Sequence, residues 1–107
     1  MIDIRLYTLL AVVEFNSYTR AAEHLSLTQP AVTQHIKQLE KELNVKIFNR
    51  IGKEIKPTNE GNIVIQYARR NIALYERMKQ SIQDIQRHVR RLTVGITHTA
   101  ESNAVAE

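Results

Sequence analysis

The sequence predicts a mainly α fold, a three-helix core with a small β-hairpin at its side and a long helix after it, and three observations predict it. Turn formers are scarce: 107 residues hold Gly 3 and Pro 2, too few for a loop-rich or many-stranded chain, whose turns consume both. Two short helical stretches are separated by the three-residue break Ser26-Leu27-Thr28. From Val64 to Val89 apolar residues recur in alternating steps of four and three, with no Gly or Pro among them.

Each element has its own justification. Leu6, Leu9, Leu10 and Val13 recur at helical spacing and predict a first helix from Ile4 to Phe15, ending near Asn16. Ser17 is a good N-cap for a second helix from Tyr18 to Leu25, in which Ala21-Ala22 allows another helix to approach closely. Thr28 caps a third helix reaching Leu43, with Pro30 in the first turn, where its missing N–H has no helical partner to lose. Val32, Ile36, Leu39 and Leu43 share one face of it, so Pro30, Thr33, Gln34, Lys37 and Lys41 point the other way. Two helices joined by so short a turn form a helix-turn-helix, at about residues 18–37.

Asn44 stands where a left-handed residue ends a helix. Val45 to Arg50 and Ile55 to Pro57 are β-prone pieces around Ile51-Gly52-Lys53-Glu54, which reads as a hairpin, or wing. The pieces together make a winged helix-turn-helix over residues 1–58. A long helix follows over 59–90, with Gly61 in its first turn, and would span about 50 Å at 1.5 Å per residue. Val64, Ala68, Asn71, Tyr75, Met78, Ile82, Ile85 and Val89 form its stripe, and a period of 3.5 over more than three heptads predicts a dimer seam. Asn71 interrupts the seam with a polar group that can select register and oligomer state. Ile65, Tyr67, Ile72 and Leu74 widen the stripe where the helix packs on the body. Residues 91–107 then begin another unit: Leu92-Thr93-Val94-Gly95-Ile96 alternates like a strand, and Thr97 onward looks helical.

Composition excludes several functions. With Cys 0 there is no disulfide framework, no Cys-based zinc site and no thiol nucleophile. The start lacks the pattern of a signal peptide, and the longest apolar run, Leu9 to Val13, is far too short to span a bilayer. A soluble, cytoplasmic protein is expected. The histidines lack the spacing and the Glu of a zinc helix, and Gly52, Gly61 and Gly95 are isolated, so neither a metal enzyme nor a phosphate loop is predicted. Lys+Arg 15 against Asp+Glu 11 gives +4. Residues 1–58 contribute +2 (8 against 6), residues 59–91 +4 (7 against 3) and residues 92–107 −2 (0 against 2). Such a surplus permits an anionic partner without demanding one. A helical adaptor, binding an acidic protein through the basic long helix, stays open at this level.

Position narrows the choice. The stretch SYTRAAEHLSLTQPAVTQHIKQLE, from Ser17 to Glu40, resembles the N-terminal domain of LysR-type transcriptional regulators. Ile47-Phe48-Asn49-Arg50 matches that family's LF-x-R, and Pro57-Thr58-Asn59-Glu60-Gly61 its LT-x-x-G. The resemblance covers roughly residues 1–96. Leu9, Asn44 and Pro57 replace a usual Phe, Gly and Leu at packing or turn positions, and Gln34 stands where Arg is common, so base preference cannot be transferred from other members.

The resemblance implies a regulator that reads dyad-symmetric DNA as a dimer, with its third helix in the major groove and its wing at the minor groove. Gln29, Pro30, Thr33 and Gln34 are the candidate base readers, since Gln can bond adenine N6 and N7 and Thr can bond bases or touch a thymine methyl. Arg20, Lys37, Lys41, Arg50, Lys53 and Lys56 are the candidate backbone and wing contacts. The expected partners are double-stranded DNA and a second copy of the chain, a tetramer at full length, with RNA polymerase as a further candidate and no membrane. No cofactor is expected for this chain. A small-molecule co-inducer belongs to a longer protein with a complete effector domain, where Thr97 and Thr99 would be candidate contacts.

Overall fold

The computed structural model describes residues 2–94. Its elements run α1 (Ile4–Phe15), α2 (Tyr18–Leu25), α3 (Gln29–Leu43), β1 (Phe48–Ile51), β2 (Glu54–Pro57) and α4 (Asn59–Val94). The chain divides into two compact units, residues 1–72 and 73–107, so the start of α4 belongs with the helix-turn-helix body.

Local chemistry sets the helix ends. Asp3, Ser17, Thr28 and Thr58 each accept a backbone N–H in the first turn of a helix, from Arg5, Arg20, Ala31 and Gly61 respectively. Each such cap is worth about 1 kcal/mol. The first three helices end on left-handed residues, Asn16, Ser26 and Asn44, with φ of 51°, 58° and 55°. Asn44 was expected there. Ser26 and Asn16 use the same device, and at Ser26 it brings the Leu27 N–H onto the Ala22 carbonyl at 2.9 Å, turning the chain directly into α3.

The core joins α1, α2, α3, the hairpin and the first turns of α4. Leu9, Val12, Val32, Ile36 and Ile47 are almost wholly buried, each contributing roughly 1.5–3 kcal/mol of transfer free energy. Ala21 and Ala22 are buried where α2 meets its neighbours. The buried side of α1 is centred on Thr8, Leu9, Ala11 and Val12, whereas Leu6, Leu10 and Val13 are only partly buried against the core. Thr8 is polar yet 0% exposed, because its hydroxyl lies 2.8 Å from His35 Nδ1 on α3, a pairing that removes most of the burial cost. Leu43 is not a core residue: the core face of α3 stops at Leu39, and Leu43 is exposed.

β1 and β2 are antiparallel, with Phe48 opposite Pro57, Asn49 opposite Lys56, Arg50 opposite Ile55 and Ile51 opposite Glu54. The loop is Gly52-Lys53, and positive φ at Gly52 alone (64°) is the pattern of a type II′ turn. The strand starts later than expected from Val45. The Ile47 N–H goes to Glu40 Oε2 at 2.9 Å, and the Ile47 carbonyl accepts the Thr58 N–H at 2.8 Å, so Ile47 is spent on joining α3, the hairpin and α4. Gly61 sits against that junction, where a Cβ would lie 2.1 Å from the Ile47 carbonyl oxygen.

Two expectations for α4 need revision, those for Ala68 and for Leu92 to Val94. Ala68, expected in the dimer seam, is 1% exposed; its own domain covers it, leaving it nothing to offer a partner. Val64 is partly buried against the same core. Residues Leu92 to Val94 are helical and continue α4, in place of the expected strand: three alternating residues after a long helix do not outweigh continued intrahelical hydrogen bonding. Gly95, Ile96, Thr97 and Thr99 lie outside the described residues. In the second unit, ion pairs Lys79–Glu76 (3.3 Å) and Arg87–Asp84 (3.8 Å) line the polar side of α4, while Leu74, Met78, Ile82, Ile85 and Val89 are exposed. Among the described residues no helix is long and apolar enough to cross a membrane.

Candidate nucleic-acid interface

Burial of Val32, Ile36 and Leu39 fixes the rotation of α3, and Pro30, Gln34, Lys37 and Lys41 are consequently exposed on its other side, while Gln29 is exposed at the start of the helix. Thr33 is partly buried and accepts a hydrogen bond from Gln29 Nε2 at 2.8 Å. That bond ties the Gln29 amide to the next turn of α3. All four candidate base readers thus sit within the first turn and a half of one helix.

The candidate backbone cations divide by environment. Lys37 and Lys41 extend from α3, and Arg20 from α2, where its guanidinium carbon lies 5.6 Å from the centre of the Phe15 ring. Lys53 stands at the hairpin tip beside Gly52, and Lys56 pairs with Asn49 on the exposed face of the hairpin. Arg50 differs. It shares the inner face of the hairpin with Phe48 and Ile55, both buried, and its guanidinium lies over the Tyr18 ring at 5.8 Å.

Between α3 and the hairpin is a cleft of about 470 Å³ whose polar walls include Gln29, Thr33, Lys37, Lys46 and Arg50. Tyr18 was not foreseen here. Tyr18 packs edge-on to Phe48, with ring centres 6.3 Å apart. Burial pushes its hydroxyl above the usual tyrosine range, and the Glu40 carboxylate pushes it further the same way, while Arg50 opposes them. An aromatic residue directly after the N-cap Ser17 was the available signal, but only the folded hairpin shows what it meets. Glu40 also lines the cleft, with one oxygen committed to the Ile47 N–H.

Outside the cleft, Arg5 fastens α1 to α3. It contacts Asp3 through Nε and Nη2, the latter at 2.6 Å, and reaches Glu42 through Nη1 at 2.7 Å. Hydrogen bonding to Arg5 holds the Asp3 carboxyl below its ordinary value, although partial desolvation opposes this. The two carboxylates raise the guanidinium further above its own.

Comparison with known proteins places this architecture. The chain is 41% identical over 92 residues to an uncharacterized HTH-type transcriptional regulator, YxjO, of Bacillus subtilis (strain 168), a match covering 85% of this chain and 32% of that protein. It is 39% identical over 90 residues to the RuBisCO operon transcriptional regulator of Allochromatium vinosum, covering 81% and 30%. The chain thus spans about a third of the length of the curated relatives it matches. Among solved structures it resembles the BenM_DBD/benA site 1 DNA complex, with TM-score 0.73, 32% identity, and coverage of 78% of this chain and 93% of that one. It also resembles the CbnR_DBD-DNA complex, with TM-score 0.71, 28% identity, and coverage of 76% and 93%. The family model described as "Bacterial regulatory helix-turn-helix protein, lysR family" matches residues 5–62. That span takes in α1, the helix-turn-helix, the hairpin and the first turn of α4, so every element that builds the polar face is accounted for, and the chain belongs to the lysR family of bacterial regulatory helix-turn-helix proteins.

Proposed function

We propose that this chain is the DNA-binding part of a cytoplasmic transcriptional regulator, reading dyad-symmetric double-stranded DNA with α3 in the major groove and the hairpin at the adjacent minor groove. One observation carries the reading: a rigidly backed helix exposes Gln29, Pro30, Gln34, Lys37 and Lys41 together, with amides suited to base edges and ammonium groups suited to phosphates. That the similar BenM and CbnR domains are known as DNA complexes supports it. The body carries only +2 over residues 1–58, so placement of charge matters more than its sum.

The reading includes a homodimer, with α4 supplying the contact through Asn71, Tyr75, Met78, Ile82, Ile85 and Val89. Assembly to a tetramer, contact with RNA polymerase and a small-molecule co-inducer touching Thr97 and Thr99 are proposed only for a longer protein that contains this chain. No cofactor is proposed for the chain itself.

The test is selection of bound sites from random DNA by this chain, followed by a salt titration on the selected duplex. Enriched half-sites related by a dyad are expected, with a slope of log affinity against log salt of about −0.9 for each phosphate neutralised. A flat salt response with no enriched sequence would refute the proposal.

A further inference from the structure

The inner face of the hairpin presents one cation, Arg50, where its two neighbours on that face are core residues. Strand alternation would let a purely solvated arginine occupy the outer face beside Asn49 and Ile51. Arg50, although exposed, instead lines the cleft beside α3, and its guanidinium carbon lies 5.8 Å from the centre of the Tyr18 ring. Tyr18 is itself wedged by Phe48 beneath the hairpin. The plane of the ring thus limits where a planar guanidinium can lie, and such stacking favours Arg over Lys. The cleft that Arg50 enters also holds Lys37 and Lys46, three cations against the single carboxylate of Glu40, and that carboxylate is already bonded to the Ile47 N–H.

We propose that Tyr18 is a positioning residue for DNA binding, holding the Arg50 guanidinium at the mouth of the cleft between α3 and the hairpin so that it clamps one backbone phosphate beside the groove that α3 enters. This assigns Arg50 to the cleft and leaves the hairpin tip to Lys53. It rests on the DNA reading above. A phosphate there receives a preorganised, planar donor pair, whereas a free arginine would have to give up side-chain entropy to reach the same geometry.

The experiment is a double-mutant cycle on this chain, read as affinity and salt slope for a duplex selected from random DNA. Tyr18→Leu, which fills the space but removes the ring, is expected to weaken binding about tenfold, the size of one charge-assisted hydrogen bond, and to reduce the salt slope by about 0.9. Base preference should not change. Tyr18→Phe keeps the platform and should bind within about twofold of the unsubstituted chain, which also guards against a failure of Tyr18→Leu to fold. Arg50→Lys should weaken binding as Tyr18→Leu does, because the charge remains but the stacked plane is lost. In an Arg50→Ala background, Tyr18→Leu should have no further effect. If the two losses add in full, or if Arg50→Lys is silent, the positioning role is overturned while the DNA reading stands. If the unsubstituted chain shows no salt-dependent binding to the selected or a random duplex, both fall together.

Discussion

Gln34 projects from the exposed side of α3 one turn after the N-terminus, and under the proposed reading its amide meets a base edge. Replacement by Ala should then cost about 1–3 kcal/mol at one base pair and relax preference there, as a gel-shift panel of single-base variants would show. Equal losses on every sequence would make Gln34 a backbone contact. Gly61 acts on stability alone. A Cβ at that position would lie 2.1 Å from the Ile47 carbonyl oxygen, and the obstructing atom is backbone. Gly61→Ala should therefore destabilise by roughly 3 kcal/mol, lowering Tm by at least about 10 °C in thermal unfolding. An unchanged Tm would mean that the junction between the hairpin and α4 yields without cost.

Among the elements, α1 is joined to α3 by the buried Thr8–His35 contact and by the Arg5 bridge between Asp3 and Glu42. Asp3 has a folded pKa below its ordinary value of 3.8. A depressed carboxylate contributes stability that is present above the unfolded pKa and lost as pH falls through the folded one. The domain should accordingly lose this contribution below about pH 4. Asp3→Asn retains the N-cap, since Asn caps as well as Asp, but removes the charge. It should be mildly destabilised at neutral pH and show a shallower acid transition. Because Asp3 is partly exposed, the difference should shrink in high salt. Acid titrations of the two proteins at two ionic strengths check the prediction. If the curves are parallel, the bridge is not coupled to folding.

At the scale of the whole molecule, the two compact units have different fates. The first has a core of its own, which takes in Ile65 and Ala68 from the start of α4. In the second, Met78, Ile82, Ile85 and Val89 keep a spacing of three and four residues with their side chains exposed. A helix of this kind is stabilised in water by packing against another, since propensity alone is marginal. Met78→Glu together with Ile82→Asp should convert the proposed dimer to a monomer in sedimentation, and DNA binding should then weaken strongly with little loss of folding in the first unit. If the mass is unchanged, the seam lies elsewhere.

The sequence alone determined the four helices among the described residues, the caps at Ser17 and Thr28, the left-handed Asn44, the turn at Gly52 and the polar face of α3. These depend on local rules: hydroxyl caps, backbone conformational preference and a 3.6-residue period act within a few residues and are legible in one dimension. The tertiary structure alone decided what depends on elements far apart in the chain. Thr8 is in the core because His35 comes to meet it, Ala68 leaves the seam because the body covers it, and Gly61 is required because Ile47 passes behind it. Arg50 lies over Tyr18 because the hairpin, whose turn places Arg50 on the face of Phe48 and Ile55, folds back beside α2.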